Sequence, residues 1–202
     1  YCKGEFMASN PKWTHSLSHW KRNYEEWINE TVPENAMKFS TLFDCRYIYG
    51  EESIINELKD FIQDQLRVPN ERFFTFIAKN ALQYEAPLTF FKRIKTQTIG
   101  KAEVFDIKTA MSPIVDLLRV YALKNGINNE NTGERMKKLQ EAGVFSKEQY
   151  QELHHSYYYL MALRLKNQVY QINIEKKMPD NYIEISRLTK IERVTLTEIF
   201  KT

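Results

Sequence analysis

The chain has 202 residues, a length that fits one domain and part of a second. Its 29 lysine and arginine residues exceed its 26 acidic residues by only three. This small excess excludes a protein that acts mainly through a polyanion-binding tail. Apolar residues make up 43% and charged residues 27% of the chain, and this balance excludes disorder, collagen and low-complexity repeats.

Cysteine usage and hydropathy bear on the compartment. Cys2 and Cys45 are too few for a disulfide scaffold, and they fit a reducing compartment. The longest run without Asp, Glu, Lys or Arg extends from Leu153 to Leu163, far short of the ~20 residues that a membrane span needs. No signal peptide opens the sequence. We therefore expect a cytoplasmic protein without a membrane partner, whose natural start lies upstream of Tyr1.

The first 68 residues predict a helix, a strand and a second helix. Residues 11–29 predict a helix because five large apolar side chains, spaced four, three, four and three residues apart, share one face. Pro33 ends this region. Residues 39–50 predict a β-strand, since they are rich in aromatic and β-branched side chains and close on glycine. Residues 52–67 predict the second helix. The five side chains of the first helix are Trp13, Leu17, Trp20, Tyr24 and Trp27.

The chain after Pro69-Asn70 predicts a helical bundle with a small β-hairpin. This break is the predicted boundary between a domain of residues 1–68 and a domain of residues 69–202. Residues 88–107 predict a hairpin that turns at residues 98–101. We therefore predict a mainly α fold, in which a truncated α/β remnant precedes the bundle. Helices are predicted over residues 71–83, 112–124, 132–143, 146–174 and 188–200.

Two of these helices carry start signals. Ser112 is the predicted N-cap of the helix over residues 112–124, with Pro113 at its first helical position. Ser146 opens the longest helix, with Glu148 and Gln149 in its first turn.

The histidines do not predict a metal centre. His15 and His19 have the i, i+4 spacing that places two imidazoles on one helix face, but no HExxH motif surrounds them and no third ligand is apparent. His154 and His155 point to different faces of the longest helix. No nucleophile elbow, Walker loop or GxGxxG motif occurs in the sequence.

Charged and amide side chains inside apolar helical patterns are the candidate binding residues. Asp116 and Arg119 are i, i+3 neighbours that can pair while half-buried. A buried Arg164 needs a carboxylate partner, for which Asp106 or Asp116 would serve. Two explanations stay open: an ion-pair network that holds the hairpin to the bundle, and a site that contacts a ligand. The candidates are Asp106, Lys108, Asp116, Arg119, Arg164 and Gln168.

Six stretches, spread in order over the whole chain, carry a family resemblance. They are Cys2–Trp13 (CKGEFMASNPKW), Phe43–Gly50 (FDCRYIYG), Asp106–Lys108, Pro113–Leu117 with Arg119, Leu163–Leu165 with Gln168, and Leu188-Thr189 with Glu192-Arg193. Together they resemble a bacterial family of nucleotidyltransferases, whose C-terminal half is named the putative nucleotidyltransferase substrate-binding domain. Members typically carry cyclic-nucleotide-binding and CBS modules upstream.

The resemblance implies a metal-dependent transferase of signal transduction. Such enzymes bind an NTP with Mg²⁺ and move its nucleotidyl group onto an acceptor. The acceptor of this protein is unknown, and a regulatory protein is one option. Asp44 matches the family's third carboxylate, which makes it the candidate catalytic residue and metal ligand. Arg46 would reach the triphosphate. The six candidates named above would form the substrate-binding wall.

The sequence departs from the family at the metal site. It contains no Gly-Ser and no Asp-x-Asp, Asp-x-Glu or Glu-x-Asp, so one metal ligand of three is present. We expect Mg²⁺ and NTP to serve the full-length protein, and we expect the 202 residues alone to bind no cofactor and to transfer nothing. The alternative explanation for Asp44 and Arg46 is a surface pair on one strand face.

The rival hypothesis is a non-enzymatic helical module for regulation or dimerisation. Tyr157, Tyr158 and Tyr159 sweep most of the circumference of the longest helix, so one of them is expected to be exposed or to lie at an interface. A homodimer is therefore one option. Nucleic acid is not an expected partner, because a charge of +3 provides no basic stripe.

Overall fold

The computed structural model describes residues 6–7, 10–30, 32–83, 87–90 and 93–201. The predicted motif at Cys2–Trp13 therefore lies in part, at residues 2–5 and 8–9, outside the described residues, as does Cys2 itself. The helices are α1 (Leu17–Asn29), α2 (Pro33–Leu42), α3 (Glu52–Arg67), α4 (Glu71–Ala81), α5 (Ile107–Lys124), α6 (Thr132–Glu141), α7 (Lys147–Asn173) and α8 (Lys190–Ile199). The strands are β1 (Gln97–Ile99), β2 (Ala102–Asp106) and β3 (Tyr182–Glu184). The prediction of a mainly α fold with a small hairpin is confirmed.

The first predicted helix is divided in two. A 3-10 turn over Pro11–Trp13 is capped by Asn10, whose side chain accepts a hydrogen bond from the Lys12 amide at 3.0 Å. Helix α1 then begins after Ser16, whose hydroxyl accepts from the His19 amide at 3.3 Å. The side-chain oxygens of Asn10 and Ser16 bond to backbone amides and so begin two separate turns. The single helix predicted from the aromatic spacing is therefore not continuous.

The predicted strand over residues 39–50 is wrong, and so is the α/β remnant that depended on it. Residues up to Leu42 belong to α2, which Pro33 starts at its first position, where the missing N–H costs nothing. The Phe39 ring is fully buried and meets Tyr24 edge-on at 5.6 Å and Phe73 at 4.9 Å. Among the described residues before position 97, no strand lies beside this segment, so extended backbone would have no ladder partner.

The predicted hairpin is confirmed and gains a third strand. Strands β1 and β2 pair antiparallel, with Gln97 opposite Val104, and Gly100 takes a positive φ of 64° in the turn. Strand β3 pairs with the other edge of β2, with Asp106 opposite Tyr182.

Helix α5 begins five residues before the predicted N-cap. The Asp106 carboxylate accepts hydrogen bonds from the amides of Lys108 at 2.8 Å and Thr109 at 3.2 Å, and so caps the helix directly after β2. Pro113 lies inside the helix. Ser112 is not an N-cap, because its hydroxyl donates to the Lys108 carbonyl at 3.2 Å.

Helices α7 and α8 both begin at capping boxes. Ser146 and Gln149 exchange side-chain and backbone hydrogen bonds, as do Thr189 and Glu192. The predicted start of the longest helix at Ser146 is therefore confirmed. In the described part of the chain, no helix has the length and apolar character needed to cross a bilayer.

The chain forms two compact units. Unit 1 contains residues 1–80 and 120–135, and unit 2 contains residues 81–119 and 136–202. In unit 1, α1 packs against α2 and α3 around an aromatic core. In unit 2, the sheet, α5, α7 and α8 enclose a second core. These units are defined by how compactly the chain packs, whereas the predicted boundary between residues 68 and 69 separates two sequence domains. That boundary therefore stays a prediction.

Candidate functional site: the aromatic cavity of unit 1

Unit 1 contains a cavity of about 660 Å³. One wall comes from the 3-10 turn and α1, a second from the irregular segment 43–51 after α2, and a third from the first two turns of α3. Cavities of roughly 300–1,000 Å³ with mostly apolar walls are the usual sites for small molecules. Its aromatic lining is Phe6, Trp13, His15, Trp20, Tyr24, Tyr47 and Tyr49, and its charged lining is Asp44, Arg46 and Glu51.

The aromatic wall is an ordered ladder of rings. The Trp13 and Trp20 rings stack 6.1 Å apart at an interplanar angle of 20°, and Phe6 stacks on Trp13 at 5.4 Å. Trp20 also meets Tyr24 at 5.9 Å. Each ring is held by its neighbours, so the wall presents flat apolar surface with little freedom to rotate.

Two acidic groups in this wall are held neutral. The Tyr24 hydroxyl donates to the Leu42 carbonyl at 2.8 Å, and burial raises its pKa well above 10.0. Burial also raises the pKa of the Cys45 thiol above 9.0. At neutral pH neither of these two groups therefore adds a negative charge to the cavity.

Asp44 lies on the cavity wall and forms an ion pair with Arg135. The Arg135 side chain is 2% exposed and the Asp44 side chain 17%. The guanidinium also lies over the Phe43 ring at 5.6 Å. A charge this deeply buried requires an opposite charge, and Asp44 supplies it.

A network of polar pairs continues from this ion pair behind the cavity. Lys59 of α3 forms an ion pair with Glu130, and Gln63 donates to the Asn128 side chain at 2.6 Å. The hydrogen bond from Lys59 is the main cause that lowers the pKa of Glu130, and the charge of Arg135 contributes. The network fixes the 128–135 segment against α3 within unit 1.

Arg46 and its neighbours form the exposed rim of the cavity. Arg46 is exposed, Ile48 and Tyr49 are 73% and 95% exposed, and the Tyr47 hydroxyl donates to the Gly50 carbonyl at 2.9 Å. The predicted strand alternation of Asp44 and Arg46 does not exist, because both lie in irregular backbone. Both nevertheless line the same cavity.

The histidine of α1 and the one just before it, His19 and His15, form a ring contact. His15 and His19 stack 4.0 Å apart. Loss of solvation, followed by the charges of His15 and Arg22, lowers the pKa of His19 below 6.5, which favours the neutral ring.

The predicted candidates on α5 and at its N-terminus lie in unit 2, and some of them make contacts that stabilise the helix. Asp116 and Arg119 form the predicted pair at 3.0 Å, with side chains 20% and 33% exposed. Asp106 caps the helix, and Lys108 is exposed. The carboxylate partner predicted for Arg164 is wrong: its Nε donates to the Asn181 side chain at 2.9 Å.

The face of α7 around Arg164 holds the chain that leads into β3. Asn167 donates to the Tyr182 carbonyl at 3.0 Å. Gln171, 2% exposed, exchanges two hydrogen bonds with Asp180 at 2.7 and 2.8 Å. Gln168 lies half-buried on the same helix and makes no hydrogen bond among the described residues.

The residues that the structure describes do not fit a nucleotidyltransferase metal site. None of their His, Cys, Asp and Glu side chains gather in a group of three or more able to share a metal ion. Arg135 compensates the charge of Asp44, and among the described residues that line the cavity the only other carboxylate is Glu51. The catalytic and metal-binding role of Asp44 therefore stays a prediction from resemblance.

Comparison with protein families supports the resemblance drawn from the motifs. Residues 71–202 match the model described as "Putative nucleotidyltransferase substrate binding domain", and residues 1–34 match the one described as "Putative nucleotidyltransferase DUF294". No curated protein and no solved structure matches the chain. Because the first match covers more than half of its length, the chain belongs to the family of the putative nucleotidyltransferase substrate binding domain.

Proposed function

We propose that this chain is the substrate-binding part of a cytoplasmic, metal-dependent nucleotidyltransferase in signal transduction, and that the cavity of unit 1 receives the nucleoside end of the NTP. The observation that carries the proposal is the cavity itself, which joins an aromatic wall to Arg46 at its rim, beside Asp44. The family match supports the substrate class.

The aromatic wall suits a nucleobase. Base stacking on an aromatic side chain contributes about 1–3 kcal/mol and tolerates any of the four bases, because each has a π face. The exposed ring of Tyr49 offers such a surface, and the Trp13 and Trp20 rings, which stack on each other, also line the cavity. The cavity volume of about 660 Å³ is large enough for a nucleoside.

The charges suit phosphates at the rim rather than in the interior. Asp44 and the neutral groups Tyr24 and Cys45 leave the inner wall without a net positive charge. Arg46 is exposed at the opening, where a guanidinium can hold a phosphate with two hydrogen bonds. The base and ribose therefore enter first, and the triphosphate stays near solvent.

The acceptor is assigned to unit 2. We propose that Lys108 and the Asp116–Arg119 pair on α5, together with Arg164 and Gln168 on α7, contact it, a regulatory protein being the acceptor class that the family implies. In the transfer, the acceptor hydroxyl oxygen bonds to the α-phosphorus, its proton passes to water, and the bond from the α-phosphorus to the leaving pyrophosphate breaks. The described residues supply binding groups for this step, and we assign them no part in bond making.

Because the cavity lies within the 202 residues, this proposal replaces the sequence-based expectation that they alone bind no cofactor. Equilibrium binding tests it. The 202-residue chain is titrated with ATP, GTP, CTP and UTP by calorimetry, in EDTA and again with Mg²⁺. Arg46→Ala is expected to raise Kd about 10-fold or more, because a hydrogen bond to a charged group contributes about 1.5–3 kcal/mol. Tyr49→Ala is expected to weaken binding as well.

Arg67→Ala is the matched control, because Arg67 is a surface arginine of unit 1 that does not line the cavity. It should bind like the wild type. Absence of nucleotide binding by the wild type, or equal binding by Arg46→Ala and wild type, would overturn the proposal.

A regulatory or dimerisation module is the second candidate function. It is favoured by a different observation, the exposed apolar side chains on α7 in unit 2.

A further inference from the structure

Helix α7 exposes a row of apolar side chains, here called the α7 stripe. Its members are spaced three, four, four and three residues apart, so at 100° per residue they lie within about 80° of one another around the helix. They are Tyr158 (46% exposed), Met161 (38%), Leu165 (62%), Val169 (46%) and Ile172 (50%).

The opposite face of α7 is already occupied by the core of unit 2. Ser156, Leu160, Leu163 and Gln171 are the buried residues of the helix, and their positions centre on the side of the helix axis away from the α7 stripe. A helix with large apolar side chains on both sides, here Leu160 and Leu163 on one and the α7 stripe on the other, is typical of one that is covered on both sides. Within the described residues of a single copy, the exposed side therefore lacks a cover.

We propose that a second copy of this chain covers the α7 stripe, with the two α7 helices antiparallel about a two-fold axis at Leu165. The intervals of the α7 stripe read the same in both directions from Leu165. A two-fold axis there places Tyr158 opposite Ile172 of the second copy and Met161 opposite Val169. A two-fold interface requires this kind of self-complementarity, in which each contact occurs twice.

Charge and area are consistent with a second copy. No member of the α7 stripe is charged, and the two basic side chains that flank Leu165 have partners in the same unit, Arg164 with Asn181 and Lys166 with Glu192. Each member exposes about half of its side chain, on the order of 100 Å². Two copies would thus bury on the order of 1,000 Å² of apolar surface, which is near the lower bound for a specific interface. The dimer is accordingly weak and depends on concentration.

Sedimentation equilibrium over micromolar concentrations tests the dimer, which is independent of nucleotide binding. The wild-type chain should fit a monomer–dimer equilibrium. Leu165→Lys should raise the dimer Kd at least 10-fold, because it places two lysines against each other at the axis. Ile191→Lys is the matched control, since Ile191 of α8 is 78% exposed in the same unit and lies off the α7 stripe. It should leave Kd unchanged.

Two further variants test the register. Leu165→Cys in a Cys2→Ser, Cys45→Ser background should form a disulfide-linked dimer on oxidation, whereas Ile191→Cys should not. Met161→Lys should weaken the dimer, and adding Val169→Glu should restore it, because the introduced charges face each other twice across the axis. A monomeric wild type, an unaffected Leu165→Lys dimer, or failure of both cross-linking and charge rescue would overturn the proposal.

Discussion

The Asp44 carboxylate accepts a hydrogen bond from the Arg135 guanidinium, which is almost fully buried in unit 1. The two residues are 91 positions apart, and their pairing joins the segment after α2 to the start of α6. A buried guanidinium requires a counter-charge. Asp44 therefore has a structural task in addition to its place on the cavity wall.

Removal of the Asp44 charge should destabilise unit 1 strongly. Asp44→Asn is expected to lower the free energy of unfolding by about 3–5 kcal/mol, because it leaves a buried guanidinium without its counter-charge. Urea unfolding followed by circular dichroism measures the loss. Asp64→Asn, which removes the partner of Arg67 from an exposed pair, should cost about 1 kcal/mol or less.

The double variant Asp44→Leu, Arg135→Met separates a lost charge pair from a lost contact. It should be more stable than Arg135→Met or Asp44→Leu alone, since apolar side chains of similar volume often replace a buried ion pair without loss. A loss below about 1 kcal/mol for Asp44→Asn would show that the pair is not required.

The Gln171–Asp180 contact should hold β3 in place. Gln171→Leu is expected to cost about 1–3 kcal/mol, because it breaks two hydrogen bonds of a buried side chain. Amide hydrogen exchange at Ile183 should accelerate, since the strand loses its anchor to α7. Gln168→Leu is the matched control on the same helix and should leave both quantities unchanged. Equal effects of the two variants would contradict the assignment.

Glu192 should give α8 a stability that acid removes. The hydrogen bond from Lys166 is the largest cause that lowers the pKa of Glu192 below 4.5, followed by the Thr189 amide. A lowered folded-state pKa stabilises the protein above the unfolded-state value of about 4.5, and this stability is lost as the pH falls through the folded-state value. Glu192→Gln keeps the capping box but removes the titration.

The test is to measure the free energy of unfolding of the wild type and of Glu192→Gln between about pH 3 and pH 7. The difference between wild type and Glu192→Gln should be largest near neutral pH and should shrink as the pH falls below about 4.5. Glu103→Gln, at an exposed position of β2, should show no such change. A constant difference across the range would mean that the carboxylate charge has no role.

Local signals in the sequence predicted most helices of the fold. The capping pattern at Ser146 and the hairpin turn at residues 98–101 both act within a few residues, so they can be recognised without tertiary structure. Strand β3 could not be recognised in this way. Its three residues pair with β2, which lies much earlier in the sequence, and side chains of α7 hold them in position.

The segment over residues 39–50 shows where local propensity fails. Aromatic and β-branched side chains fit a strand only where a neighbouring strand can pair with it. In unit 1 the Phe39 ring instead fills the space between α1 and α4 as part of a helix. The proline at position 33, a favoured first helical residue, was the competing signal.

The cavity was predictable in part. The spacing of the aromatic residues in the first helix predicted a shared face but no cavity, and the Phe43–Gly50 motif indicated Asp44 and Arg46 as site residues. The partner of Asp44 was missed, although Arg135 and Leu139 are four residues apart and so share the buried face of α6. A charged residue on an apolar helix face indicates that it has a buried partner, but the sequence pattern does not show which residue that partner is.

Photo-labelling with 8-azido-ATP tests the central claim most directly, because it reports where the adenine ring lies. The label should attach to peptides from residues 13–24 or 45–55 of unit 1, and both excess ATP and Arg46→Ala should reduce it. Labelling that ATP competes away but that maps to residues 106–119 or 164–168 would contradict the account, as would the absence of any competed label.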